Sequence, residues 1–378
     1  MTDVTLRAWA YLSRVVEPPC AELAALVGRV GPVEAAERVR RGEVGDALAQ
    51  RTEARREIDR AAEDLELLAR RGARLITPGD DEWPTMAFAA FGGAAAAKPQ
   101  GRPPLVLWAL GPVRLDETAQ RAAAIVGTRA ATSYGELVAT DLADGLVEHD
   151  VAVISGGAYG IDGAAHRAAL AAEGVTVAVL AGGLDIPYPA GHSALLHRIG
   201  GGGLLVTEYP PGVRPARHRF LTRNRLVAAF AGAAVVVEAG LRSGAANTAA
   251  WARALGRVVG AVPGPVTSSA STGCHALLRE GAEVVTRAAD IVELVGRIGE
   301  LAAELPRPAT PLDELSDEER RVYEALPGRG AATVDEIAVA TAVEPARILA
   351  PLAMLEVAGL AERHGGCWRI VRNRRQPA

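Results

Sequence analysis

Val151-Ala152-Val153-Ile154-Ser155-Gly156-Gly157-Ala158-Tyr159-Gly160-Ile161-Asp162-Gly163 joins a short apolar run to a glycine-rich turn and the start of a helical pattern. A run apolar on both faces suits a strand buried within a parallel sheet. The turn leaves backbone N–H groups at a helix N-terminus, where an anion is favoured. The same unit recurs on either side. Apolar runs at residues 105–108, 122–126, 176–180, 204–206, 234–237 and 258–262 alternate with helical stretches at 136–147, 161–172, 224–231 and 245–255. This alternation predicts an α/β domain, a Rossmann-like doubly wound and mostly parallel sheet.

The flanks differ from this core. Residues 5–72 are expected to be helical, with amphipathic pieces at 21–27 and 33–39 and a charged helix over 53–71 closed by Gly72. The Gly/Ala/Pro-rich residues 92–104 predict a flexible loop or insertion. Pro306, Pro308 and Pro311 mark a linker. Beyond it, Ser316 with Glu319 has a capping-box spacing. Helices are expected there, at 333–338 and over 344–359, before two short runs around His364-Gly365-Gly366 that form a hairpin. Three helices and a hairpin predict a winged helix. The expected division is a helical N-terminal domain over 1–75, the Rossmann-like domain over 76–297, a linker over 298–315 and the winged helix over 316–373.

Composition narrows the chemistry. The 378 residues are 49% hydrophobic and 23% charged, ordinary values for a globular protein. No apolar run reaches the ~18 residues of a membrane span, and the start lacks a signal-peptide pattern, so a cytoplasmic location is expected. Cys20, Cys274 and Cys367 are dispersed, which argues against a disulfide framework or a zinc knuckle. No metal and no cofactor are expected. Lys98 is the single lysine, so neither a P-loop nor a Schiff base is available. Residues 209–279 hold nine arginines against Glu238 alone, a net of +8, and the remainder carries −12 of the overall −4. A basic block in an acidic chain suggests a polyanion partner there.

Ligands in doubly wound folds sit at the carboxyl ends of the strands. Gly127-Thr128-Arg129, Ser155-Gly156-Gly157 with Gly160-Ile161-Asp162, and Arg242-Ser243-Gly244 occupy such loops. Phe220 beside Arg223-Asn224-Arg225 sets a stackable ring among cations, a pairing suited to single-stranded nucleic acid. Asp162 and His166 lie four apart on one helix face, favouring a local hydrogen bond that holds the glycine loop over a general acid/base pair. The glycine turn is not GxGxxG, which argues against a nicotinamide site.

The ordered motifs Gly127-Thr128-Arg129, Ser155 to Asp162, Ala181-Gly182-Gly183-Leu184-Asp185 with Tyr188-Pro189, Thr207-Glu208-Tyr209-Pro210-Pro211-Gly212, Phe220 to Arg225 and Arg242-Ser243-Gly244-Ala245 resemble the DNA-processing protein A family (DprA, also called Smf). The resemblance runs over about residues 83–295. It implies a cytoplasmic, non-enzymatic homodimer that binds and protects single-stranded DNA and loads a RecA-type recombinase during natural transformation or homologous recombination. It also implies that Arg129, the Ser155 to Asp162 loop and Arg223 to Arg225 line the DNA site, with weak sequence preference and steep salt dependence. Two positions depart from the family: Ala190-Gly191 follows Tyr188-Pro189 where a basic residue is common, and Gly273-Cys274-His275 replaces Gly-x-Asn. Two rivals stand beside this. The glycine loop is also similar to that of nucleotide phosphoribohydrolases of the lysine-decarboxylase-like type, but residues 240–251 lack their acid. A winged-helix transcription regulator is the other, and its apolar third helix offers little to read bases.

Overall fold

The computed structural model describes residues 2–241, 243–296, 312 and 315–371. One compact unit is Met1–Ala303 and a second is Glu304–Ala378. The expected linker lies mostly outside the described residues.

The first unit is built on nine strands: β1 (Ala73–Ile76), β2 (Leu107–Leu110), β3 (Ala122–Val126), β4 (Ala152–Ser155), β5 (Thr176–Val179), β6 (Leu204–Thr207), β7 (Ala233–Val236), β8 (Val258–Ala261) and β9 (Glu283–Val284). Their order is β1-β2-β6-β5-β4-β3-β7-β8-β9. The run from β6 through β9 is parallel, and β2 joins β6 and β1 antiparallel. All five residues of β3 are buried, as are all four of β4 to β7. Helices cover both faces, as the unbroken apolar runs demand. Ala122, Ala124 and Val126 point to a core shared with Phe230 and Trp251. Ala123 and Ile125 point the other way, to Leu142, Ala165 and Ile291. The chain steps from β3 outward to β6 and then returns to pair β7 with β3, so strand order reverses between β3 and β7. The doubly wound expectation holds, with β2 and β1 added at one side through antiparallel pairing.

The N-terminal helices are Asp3–Val15, Ala21–Arg41, Asp46–Thr52 and Ala61–Arg70. The expected long helix over 53–71 is shorter, because Asp59 accepts the Ala61 N–H at 3.1 Å and starts a new helix there. Leu12 and Leu23 share a core with Trp108, Leu180 and Leu205 of the sheet region. β1 spans residue 75, where the sequence suggested a domain boundary. Residues 92–104, expected to be a flexible loop or insertion, include the 3-10 turn Ala94–Ala97, with Ala95 buried in the core that also takes Phe91 of the preceding turn Ala90–Gly92.

The second unit has helices Asp317–Ala325, Val334–Thr341 and Pro345–Val357, then β10 (Ala361–His364) paired antiparallel with β11 (Cys367–Ile370). Ser316 with Glu319 and Thr333 with Glu336 form two capping boxes. Ile337, Ile348, Leu352, Leu355 and Trp368 make its core. This is the expected winged helix.

Candidate nucleic-acid interface

Three loops meet where strand order reverses. Gly127 follows β3, and a Cβ there would lie 2.4 Å from Ile161 Cγ1 and 2.9 Å from the Glu238 carbonyl. Only glycine allows that approach. The Thr128 N–H donates to the Glu238 carbonyl at 2.7 Å, and the Ile161 N–H donates to the Thr128 carbonyl at 3.3 Å. The Glu238 carboxylate accepts the Thr132 N–H at 2.9 Å and its hydroxyl at 2.6 Å. The loop carrying Arg129 is therefore tied to both neighbours.

The glycine loop after β4 departs from expectation. Its N–H groups are not all open to a ligand. Asp162 Oδ2 accepts the Gly156 N–H at 3.2 Å and the Ala158 N–H at 3.3 Å. Burial raises the Asp162 pKa, with the Arg223 charge pulling the other way. Ser155 is buried and its hydroxyl donates to the Ile125 carbonyl at 2.6 Å. The Gly157 carbonyl faces His192 Nδ1 at 3.1 Å, and Ile161 is buried on the helix side. Gly160 adopts φ +73°, and a Cβ there would sit 2.3 Å from the Thr128 carbonyl. Ser155, Gly157, Gly160 and Ile161 thus shape the loop from behind.

Asp162 holds the glycine loop, but His166 is not its partner. His166 Nδ1 meets Thr176 Oγ1 at 2.7 Å, and that hydroxyl donates to the Val153 carbonyl at 2.9 Å. The Nδ1 therefore carries the proton. Burial drives the His166 pKa down to about 3, helped by the nearby His192 and Arg223 charges.

The helix Arg217–Ala229 supplies the opposite wall. Arg223 Nη1 donates to the Val179 carbonyl at 2.7 Å. Burial lowers its pKa to about 10, against the pull of Asp162, and it stays charged at neutral pH. Asn224 Nδ2 donates to the Gly244 carbonyl and to Asn247 Oδ1, both at 3.2 Å. Phe220 is half-buried, with the Arg129 guanidinium 5.0 Å from its ring and Tyr188 5.5 Å away at 51°. Ser243 caps the helix Gly244–Ala254, accepting the Ala246 N–H at 3.2 Å.

These walls enclose an open cleft of about 760 Å³. Of the residues singled out from sequence, Gly127, Thr128, Arg129, Gly156, Asp162, Phe220, Arg223, Asn224, Ser243 and Gly244 line it. Arg225 does not. It is fully buried on the other side of the helix, with Nη2 donating to Glu208 at 2.6 Å. Arg242 lies outside the described residues. Tyr188, Arg217, Leu221 and Thr248 also line the cleft and were not assigned from sequence. The basic block is partly spent inside the protein, since Arg219 pairs with Glu17 and Arg253 with Glu280. Burial acts to raise the Glu17 carboxyl, but Arg219, with His218 and Arg55, holds it below its usual range. Neither Arg129 nor Arg217 forms an ion pair among the described residues. No group of three metal-ligating side chains converges among them.

Residues 74–296 match the family model described as DNA recombination-mediator protein A, and residues 306–367 match the DprA winged helix domain. The chain belongs to the DNA recombination-mediator protein A family. It is 78% identical to a putative DNA processing protein DprA of Mycobacterium tuberculosis over 98% of this chain and 96% of that one. Against the DprA structure from Streptococcus pneumoniae, the TM-score is 0.59 at 27% identity, covering 77% of this chain and 98% of that one. Against DNA processing protein A from Helicobacter pylori, described for its single-stranded DNA binding mode, it is 0.50 at 26% identity, covering 58% and 94%. No single helix among the described residues is long and apolar enough to cross a membrane.

Proposed function

We propose that this chain binds single-stranded DNA in the cleft between β3 and β7 and performs no chemistry on it. The observation that carries this is the mouth of the cleft: exposed Arg129 over half-buried Phe220, with Tyr188 alongside. A cation and stackable rings suit unpaired bases and their phosphates. The H. pylori relative is described by its single-stranded DNA binding, which supports the same use here. The phosphoribohydrolase alternative needs a carboxylate free to activate water. Glu238 is buried with both oxygens engaged by Thr132, and Asp162 is engaged by the glycine loop. The regulator alternative is disfavoured by the third helix of the winged domain, which exposes Leu349, Met354 and Val357. Such side chains offer no base-edge hydrogen bonds.

The finer parts of the role follow the family resemblance: a homodimer in the cytoplasm that protects incoming strands and loads a RecA-type recombinase. The first test is an anisotropy titration with a labelled homopolymeric single strand and the matching duplex at two salt concentrations. Tighter, salt-sensitive binding of the single strand is expected. Binding of neither polymer, or preference for one duplex sequence, would overturn the proposal. Loading is tested by whether the protein speeds recombinase filament formation on a coated strand.

A further inference from the structure

A glycine-rich turn between a strand and a helix is ordinarily a place for a phosphate dianion, held by unpaired N–H groups. Here that position is already filled by the protein. The Asp162 carboxylate is 6% exposed, borders the cleft, and takes the Gly156 and Ala158 N–H groups at 3.2 and 3.3 Å. The neighbouring alcohol is also engaged, since Ser155 donates to the Ile125 carbonyl. On the other side of the loop sits Arg223, whose guanidinium leaves no room for a Cβ on Gly156. Asp162 thus supplies the negative charge that a bound phosphate would otherwise bring to both the loop and the buried arginine.

We infer that Asp162 is a specificity-determining residue: as a built-in phosphate surrogate it closes the glycine loop to terminal phosphates and free mononucleotides. This rests on the single-strand reading above and deepens it. An arriving dianion would meet a fixed carboxylate in a setting where charges are weakly screened. An internal phosphodiester, with one charge, can instead be met at the cleft mouth by Arg129 and Arg217, which are exposed. The cleft therefore takes the strand along its length and ignores its 5′ end.

The test begins with the unaltered protein. Oligonucleotides with and without a 5′-phosphate are expected to bind within about twofold of each other. At low millimolar concentration, where general salt effects on stability are small, inorganic phosphate should leave the melting temperature unchanged. Asp162→Ser should free both N–H groups and leave Arg223 uncompensated. Calorimetric titration with deoxyadenosine monophosphate should then show a gain of roughly tenfold or more over the unaltered protein, the scale of a charge-assisted hydrogen bond. Asp162→Asn keeps an acceptor on the loop and should gain less. A clear preference of the unaltered protein for 5′-phosphorylated strands, or saturable binding of the monophosphate by it, overturns the inference. So does a folded Asp162→Ser protein that gains nothing. If that variant does not fold, the comparison of 5′ ends on the unaltered protein still decides. If no oligonucleotide binds, the single-strand reading fails, and the monophosphate titration alone then judges Asp162.

Discussion

Glu208→Gln leaves the guanidinium of Arg225 buried without a counter-charge. The two side chains are 2% and 0% exposed, and a single hydrogen bond of 2.6 Å joins them. Glu208 Oε2 and Arg225 Nε and Nη1 have no hydrogen-bond partner. Burial raises the Glu208 pKa, and the Arg225 charge only partly offsets this. The pair is therefore poorly compensated for its desolvation, yet removing one member is worse than keeping both. Breaking a buried pair costs about 3–5 kcal/mol. At roughly 2–4 °C per kcal/mol for a large domain, the melting temperature should fall by about 6–20 °C.

The same geometry gives the double variant a different fate. Glu208→Leu with Arg225→Met removes both charges and should recover most of the loss. Calorimetry on the single and double variants reads the coupling directly. Below the transition, the affinity of Arg225→Met for single-stranded DNA should stay within about twofold of the unaltered protein, because one full helix face separates it from the cleft. An Arg225→Met protein that melts normally but loses affinity would refute the buried-pair argument and restore Arg225 as a DNA contact.

Arg129→Ala should weaken single-strand binding by about 1–2 kcal/mol, and Phe220→Ala by about 1–3 kcal/mol; anisotropy titrations check both, and two unchanged affinities would remove the cleft mouth from the site. Arg223→Ala should lose both stability and affinity, since Arg223 anchors to the Val179 carbonyl while lining the cleft; a loss of affinity with unchanged urea midpoint would contradict its structural share. Gly160→Ala meets a backbone carbonyl at 2.3 Å with φ at +73°, so its unfolding free energy from urea titration should fall by more than the ~1 kcal/mol of an ordinary glycine exchange; an unchanged unfolding free energy would count against the loop geometry. His166 is held neutral with a pKa of about 3 against 6.5 when unfolded, so the unfolded chain binds the extra proton between those values. Its contribution is whole above pH 6.5 and is lost as pH falls toward 3, at about 1.4 kcal/mol per pH unit. His166→Gln should remove that slope from urea titrations run across the window, and identical slopes would show that His166 titrates normally.

The central strands were legible because burial on both faces leaves an unbroken apolar run, as in Ala122–Val126. The sheet edges gave no such signal. β1 includes Arg74, whose charge is absorbed by Glu82 at 2.5 Å, and β9 is two exposed residues. The helix Ser193–Gly202 ends in three glycines and is held by burying Leu195, Leu196 and Ile199, a tertiary effect that overrides propensity. Capping boxes exposed the winged helix because a cap is a local interaction. In the site, the loops were legible from their glycines, while side-chain direction was not. Arg223 and Arg225 are two residues apart, about 200° around a helix, so one reaches the cleft and the other the core.

The basic block teaches the same lesson about charge, and it can be measured. Residues 209–279 carry nine arginines. If each met a phosphate, the single-strand affinity would fall with a log–log salt slope near −6, at about −0.7 per contact. The structure assigns several of those charges elsewhere: Arg219 to Glu17, Arg225 to Glu208, Arg253 to Glu280, and Arg257 to the Ala229 carbonyl. At the cleft, Arg217 and buried Arg223 remain from the block, joined by Arg129 from outside it. Two or three contacts give a slope of about −1.4 to −2.1 per site, much shallower than the arginine count suggests. A slope near −6 would show that the strand tracks a surface well beyond this cleft.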